Sequence, residues 1–341
     1  MARVTIKDIA EKANLSKTAV SFAFNSPERL PLKTVQRIRK IAEELGYSPD
    51  PVARGMSTGK IGSVGLLLPQ SIHTVMQNPF FSGLMTGIGT VCEESNLDLM
   101  MIPPLSGSVR QAIVNAAVDG FLTLGLENSK ETVQTLQRRQ IPFVMIDGDP
   151  YYQVPSVNID DEGGAYEAMK YVLQQGHRKI GIIGIQSQQD SQHENFTSTL
   201  YKRMQNYIKA MESFGLSTDD LYIYNECEVT IEEAKKIFFD MWEKKVKPTA
   251  VVAMSDIIAI GIIEAARSIG VRVPEDLSVV GFDDIPAAEW VHPKLTTIHQ
   301  PIQKKGYLAA ELLWKLIKNE NITKYHLLPT KLVIRDSVRK I

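Results

Sequence analysis

At 341 residues the chain exceeds the usual size of one hydrophobic core, and its 44% hydrophobic and 23% charged content excludes disordered, collagen-like and disulfide-scaffold classes. No apolar run reaches the roughly 18 residues of a membrane span, and the opening MARVTIKDIAEKA is amphipathic without a signal-peptide hydrophobic region, so a cytoplasmic protein with no membrane partner is expected. The net charge of −1 hides an asymmetry: residues 1–60 carry 11 Lys and Arg against 6 Asp and Glu, while the remainder carries 27 against 33, the footprint either of a nucleic-acid-binding head or of a solvated charged face.

Helical spacing in the head favours the first reading. Thr5 can cap a helix whose apolar face is Ile6, Ile9, Ala10 and Ala13, with Asp8 in a capping-box position. Asn14-Leu15-Ser16 interrupts the pattern, and Ser16 can cap a second helix from Lys17 to about Phe24 that keeps Val20 inward. Two short helices around a short turn form a helix-turn-helix, whose second helix presents its N-terminal side chains to a major groove. Lys17, Thr18, Ser21 and Phe22 would face outward, with Asn25 at the end of the same helix. A third helix, Lys33 to Leu45, closes the small core with Val35, Ile38, Ile41, Ala42 and Leu45 and is stopped by Gly46.

The segments VTIKDIAEKANLSKTAVSFAFN and TVQRIRKIAEELGYSPDPVARGMSTGK resemble the head of the lactose-repressor (LacI/GalR) family. This resemblance implies a DNA-binding domain over residues 1–49 and, over 50–60, a hinge in which Pro51 to Ser57 forms a helix on DNA. Arg54 would contact DNA there, and Met56 would occupy the minor-groove wedge position usually held by Leu. Thr5, Ser16, Lys17, Thr18, Ser21, Phe22 and Asn25 complete the implied DNA-binding set. Phe22 stands where the family commonly has Arg after V-S. It either packs on a thymine methyl, reading an A·T pair, or packs against Leu15.

From Ile61, β-branched runs alternate with helical segments: VGLLL, Asn78–Glu94, LDLMMI, Val109–Val118, GFLTL, Lys130–Arg139 and PFVMI. A second set follows Val157-Asn158-Ile159: Glu162–Gln175, KIGIIGI, Ser198–Ser213, LYIY, Ile231–Lys244, TAVVAM, Asp256–Ser268 and LSVVGF. Such alternation indicates parallel sheets with crossover helices, and two lobes with facing strand ends make a ligand cleft. The motifs NPFF, VDGFL, GHRKIGIIG, PTAVVAMSDIIAIG, VPEDLSVVGFDD and LTTIHQP extend the family resemblance almost to the C-terminus. They imply the type I periplasmic-binding fold, an α + α/β architecture of a helix-turn-helix head and two doubly wound lobes. On this reading the first lobe holds about 61–160 and 293–320, and the second about 161–292 and 321–341. Pro301–Asn319 would return to the first lobe, and His326–Ser337 would end in the second. After its second strand, MMIPPLSGSVRQAIVNAAVDG is shorter than the family norm.

Motif by motif, the resemblance selects Asp147, Arg203, Asp256 and Asp283 as effector contacts, with Phe80 of NPFF and Cys227, near where some members place a stacking aromatic. A carboxylate accepts from two adjacent hydroxyls and Arg donates through a rigid fork, chemistry suited to sugars, nucleosides or their phosphates. Asp256 follows Ser255 at a helix start and could equally be a cap, as could Asp160 and Asp161 before the next helix. Cys92 and Cys227 lack a C-x-x-C partner, so buried free thiols are expected, with no metal site and no cofactor. Catalytic motifs G-x-S-x-G, H-E-x-x-H and G-x-x-x-x-G-K-[ST] are absent from the sequence. The chain therefore reads as a regulator that binds double-stranded operator DNA as a homodimer or tetramer and responds to a small hydroxylated effector. The competing class is a solute-binding receptor, which would need a signal peptide and no helix-turn-helix head.

Overall fold

Asp8 opens the first helix of the head by accepting from the Thr5 backbone N–H and hydroxyl, both at 2.8 Å, which satisfies a donor that the first turn would otherwise leave free. The computed structural model describes residues 4–48, 55, 59–105, 108–124, 130–148, 152–185, 199–217 and 223–341. The chain divides into two compact units, residues 1–63 with 117–119, and the rest. In the first unit, α1 (Ile6–Ala13) ends at Asn14 in a left-handed conformation, φ 53°. The Ser16 hydroxyl then accepts from the Ala19 N–H at 3.1 Å to start α2 (Lys17–Asn25). A 3-10 turn, Pro27–Arg29, leads into α3 (Leu32–Glu44). Ile9, Ala13, Val20, Ala23 and Ile38 are completely buried between the three helices. Arg37 ties α3 to the turn by donating to the Ala13 carbonyl at 2.8 Å. Arg54, Met56 and, apart from Gly55, the whole of the expected hinge helix lie outside the described residues.

The second unit carries two parallel sheets. The first is built from β1 (Ser63–Leu67), β2 (Asp98–Ile102), β3 (Gly120–Leu124), β4 (Phe143–Ile146) and β5 (Ser156–Ile159). Its helices are α4 (Ile72–Met76), α5 (Pro79–Ser95), α6 (Val109–Asn115) and α7 (Lys130–Arg139). The second sheet is built from β6 (Ile180–Ile185), β7 (Ile223–Cys227), β8 (Ala250–Ala253) and β9 (Ser278–Val280), in the order β7-β6-β8-β9. It is flanked by α8 (Asp161–Gln174), α9 (Thr199–Ser213), α10 (Ile231–Trp242) and α11 (Asp256–Ser268). β6 and β8 are apolar runs buried throughout except at Ile185, as expected of central strands covered on both faces. A short helix α12 (Ala287–Trp290) precedes β10 (Thr297–His299), and then come α13 (Ile302–Ile317), β11 (Tyr325–Leu328) and β12 (Lys331–Val333).

Strand pairing moves the expected lobe boundaries. β11 was expected in the second lobe, but it lies parallel to β5 with Tyr325 opposite Ser156, giving the first sheet the order β11-β5-β4-β3-β1-β2. Its alternation of exposed and covered residues is that of an edge strand. Residues 293–299 were expected in the first lobe. Instead, Gly281 and Asp283 donate to the carbonyls of Thr296 and Ile298, at 2.9 Å each, joining this stretch to the second sheet. β12 pairs antiparallel with β10, and the C-terminal residues return to the second sheet, where the Val279 N–H donates to Ser337. Of the strand expected at LYIY, Leu221 and Tyr222 lie outside the described residues, and the described strand runs from Ile223 to Cys227. It is the outer strand beside β6, so Glu226 can stay exposed there while Cys227, on the opposite face, is buried.

α13 reaches the first sheet because it packs closely on α5. A Cβ on Gly87 would fall 2.0 Å from the Gln303 carbonyl, and one on Gly306 would fall 2.3 Å from the Leu84 carbonyl. Both obstacles are backbone, so neither helix can yield without moving as a body. Gly87→Ala is therefore expected to destabilise the protein by about 1–3 kcal/mol in urea unfolding, despite alanine's better helix propensity. An unchanged midpoint would show that the helices are free to separate.

Candidate functional site

Two places in the described structure carry the expected chemistry. On the head, Lys17 and Thr18 are exposed at the start of α2, while Ser21 and Phe22 are half-buried. Thr5 and Ser16 spend side-chain oxygens on the local helix-start bonds described above, although both remain near the surface. Asn25 donates to the Ser21 hydroxyl at 3.3 Å. Phe22 is not among the residues that form the head's core. Its ring lies 5.1 Å from the Arg29 guanidinium, a cation–π distance, so the position where the family commonly has Arg holds an arginine from the following turn against it.

In the second unit, carboxylates and cations gather at the carboxyl ends of the strands. Asp147 follows β4, Asp161 opens α8 just after β5, Ser255 and Asp256 follow β8, and Asp283 follows β9. Arg203, in the first turns of α9, is buried; it donates through Nε to Asp161 at 2.8 Å and through a terminal nitrogen to the Met254 carbonyl at 2.8 Å. Its guanidinium lies 3.6 Å from the centre of the Phe282 ring. Asp283 accepts from Gln300 at 2.6 Å and from Ser255 at 3.2 Å. Lys305 of α13 donates from Nζ to Asp147 at 2.6 Å and to the Gln300 amide oxygen at 2.7 Å. It also lies 5.0 Å from the centre of the Phe80 ring. Asp147, Lys305, Gln300 and Asp283 thus form one hydrogen-bonded chain from the first sheet to the second.

The cluster holds two polar atoms without a hydrogen-bond partner among the described residues, Asp147 Oδ1 and the Tyr207 hydroxyl, both buried. Unsatisfied buried groups are costly, so each is a place where a ligand gains free energy. Burial pushes the Asp161 carboxyl up against the opposing pull of Arg203. Burial also works against the charge of Arg203, but Asp161 and Asp283 outweigh it and hold the guanidinium above its ordinary value. Asp283 is pushed up to about 6 by burial, opposed by Arg203 and its Gln300 hydrogen bond. Two conformations of sparsely used backbone occur here, φ 127° at Asp283 and φ 55° at Asp147, as is frequent where function dictates the geometry.

Four of the expected effector residues, Asp147, Arg203, Asp283 and Phe80, come together in this cluster. Asp256 does not join them as a ligand contact. It is completely buried, and its oxygens accept from the Thr297 hydroxyl at 2.5 Å and the Ile285 N–H at 2.9 Å, which fixes the turn carrying Asp283. Cys227 also falls outside, because it points into the core beneath β7 with Ile183, Ala234 and Phe238; burial pushes its thiol up to about 12. Among the described residues no cluster of His, Cys, Asp and Glu could hold a metal. Sequence reasoning passed over Lys305, Gln300, Ser255 and Tyr207 and took Asp161 only as a cap. Lys305 did leave a signal: it lies on the buried stripe of α13 with Ala309, Leu312 and Leu313, where an amphipathic helix should be apolar.

Fold and site define a class, a DNA-binding regulator whose core responds to a small ligand. The sequence model for bacterial regulatory proteins of the lacI family matches residues 5–50, and that for a periplasmic binding protein-like domain matches 169–338. The chain is 30% identical over 349 residues to the HTH-type transcriptional repressor PurR of Photobacterium profundum, covering 99% of each. It is similar to a transcriptional regulator CelR–cellobiose complex, with 26% identity, 98% of this chain and 100% of the other covered, and a TM-score of 0.72. It also shares its fold with a lac repressor dimer bound to operator and the anti-inducer ONPF, at 21% identity, with 99% and 100% covered and a TM-score of 0.81. The chain belongs to the LacI family and is a transcriptional repressor, not an enzyme.

Asp256 sets a pH dependence. Burial, reinforced by the charge of Asp283, pushes its carboxyl up to about 8, far above the ~3.9 of an unfolded aspartate. The folded state therefore binds the extra proton between these values, and stability falls as pH rises through that window. From pH 6 to 8, unfolding free energy should decline more steeply in the parent than in Asp256→Asn, which has no carboxyl to ionise. Equal slopes would show that Asp256 is ionised in the fold.

Proposed function

We propose that the chain is a dimeric repressor that binds a near-palindromic operator and is switched by a small hydroxylated effector held in the cluster around Asp147, Arg203, Asp283 and Lys305. The observation that carries the effector reading is the pair of buried oxygens on Asp147 and Tyr207, inside a set of hydrogen-bonded charges, that have no hydrogen-bond partner among the described residues. The position of these groups at strand carboxyl ends supports the same reading, because open α/β sheets bind ligands there. A saccharide is supported by the cellobiose held by the CelR relative, and by the match between carboxylates and adjacent hydroxyls.

On the head, α2 is the recognition helix. Exposed Lys17 and Thr18 lie at its groove-facing start, and Thr5, Ser16, Ser21, Phe22 and Asn25 complete the surface. One helix-turn-helix covers a half-site, so a two-fold operator calls for two copies. Arg54 and Met56 supply the hinge contacts, with Met56 as the minor-groove wedge. A repressor that meets its operator directly works in the cytoplasm. The basic head also weighs against a plain solute-binding receptor.

Asp283→Asn keeps the shape of the site and removes one charge, so it should weaken effector binding about tenfold or more while leaving operator affinity without effector unchanged. Titration calorimetry for the ligand and fluorescence anisotropy for a labelled operator read the two separately. Undiminished effector affinity in the variant would remove the cluster from the effector site. Operator binding that does not weaken with salt would remove the DNA reading.

A further inference from the structure

A lysine at the centre of an effector site bears on which effector can enter. The Lys305 side chain is 1% exposed, and two of its three protons are used on Asp147 and Gln300, leaving one donor. Beside it, Asp147 Oδ1 is an acceptor without a donor among the described residues. The two atoms form an adjacent donor and acceptor, the complement of a hydroxyl or of neighbouring hydroxyls. The second cation is likewise already occupied, since Arg203 is held by Asp161 and by the Met254 carbonyl. Asp283, whose charge acts on Arg203, and Lys305, whose charge acts on Asp161 and Asp283, belong to the same electrostatic group. Three carboxylates therefore face two cations, and each cation already bonds a carboxylate. A ligand anion would meet repulsion from Asp147, Asp161 and Asp283 with no unpaired positive charge in this group, among the described residues, to receive it.

We propose that Lys305 and Asp147 form the specificity-determining pair of the effector site, selecting an uncharged polyhydroxyl ligand and rejecting its phosphorylated counterpart. This rests on the reading of the cluster as the effector site. Both side chains meet the ligand through the free N–H and the free carboxylate oxygen, and the Phe80 ring beside Lys305 offers an apolar surface to a sugar face.

The test is titration calorimetry of the full chain with matched pairs: ribose and ribose 5-phosphate, glucose and glucose 6-phosphate, adenosine and adenosine monophosphate. The parent should bind the uncharged member of at least one pair more than about tenfold tighter than the phosphorylated one. The double variant Lys305→Met, Asp147→Asn removes the two charges of the pair together, so neither partner is left behind as a lone buried charge; its ratio should fall toward one. A phosphorylated member bound as tightly as its parent compound, or an unchanged ratio in the double variant, overturns the assignment. If the preferred uncharged compound binds but leaves operator affinity unchanged, the specificity pair stands and the effector reading falls. If a phosphorylated compound binds and alters operator affinity, the effector reading stands and the specificity pair falls. Binding of no member of any pair counts against both.

Discussion

A fully buried ammonium is the constraint around which the core is arranged. Lys305 has no access to water, and removing a charge from water costs several kcal/mol unless opposite charge and hydrogen bonds replace the lost hydration. Asp147 and Gln300 supply that replacement, one from the end of β4 and the other from the segment just after β10. Their geometry depends in turn on where α13 lies. α13 comes close enough only because Gly87 and Gly306 let two helix backbones approach without side chains between them. Gln300 then passes the connection to Asp283, whose position is fixed by Asp256 and Thr297 beneath its turn. Sequence, helix packing and polar cluster are thus one chain of dependence, running from two glycines to the carboxylates of Asp147 and Asp283.

Such a seam suits a switch. Two sheets joined through polar groups can exchange one hydrogen-bonding arrangement for another when a ligand supplies new partners. A ligand shifts an equilibrium only through contacts that differ between the two arrangements. On the proposed effector reading, the oxygens of Asp147 and Tyr207 that lack a partner among the described residues are where such a difference can arise, because a hydrogen-bond partner arriving there removes a desolvation cost. The head needs no comparable device. Its helices are set by local capping at Asp8 and Ser16 and by a small apolar core, and its affinity for DNA comes largely from surface cations.

Much of this was legible in the sequence because local rules and tertiary structure agree. Helix starts at Thr5 and Ser16, the interruption beginning at Asn14, and the apolar runs of β6 and β8 all follow from short-range chemistry. That Asp147, Arg203 and Asp283 would share one polar cluster was legible because strand ends and motifs coincide. Asp256 was ambiguous, since a residue at a helix start either caps or contacts a ligand, and only the bonds to Thr297 and Ile285, about 30 to 40 positions away, decide the matter. Cys227 was misplaced because its reading rested on a family position for a stacking aromatic, whereas its side chain lies in the apolar core with Ile183, Ala234 and Phe238. β11 was assigned to the wrong lobe because pairing partners of an edge strand are set by tertiary contacts with β5, 169 positions from Tyr325 to Ser156 along the chain. Lys305 went unread for a different reason: general preference places lysine in water, and its partner Asp147 is 158 residues distant.

The most direct measurement is a double-mutant cycle on unfolding free energy with Lys305→Met, Asp147→Asn and the double variant, taken by chemical denaturation of the full chain at neutral pH. Breaking the pair from one side leaves an uncompensated buried charge, so the Lys305→Met variant should lose about 3–5 kcal/mol. Neutralising both partners together should recover most of that loss, giving a large coupling energy. Additive losses in the double variant would contradict the claim that this buried ion pair is the constraint around which the core is arranged.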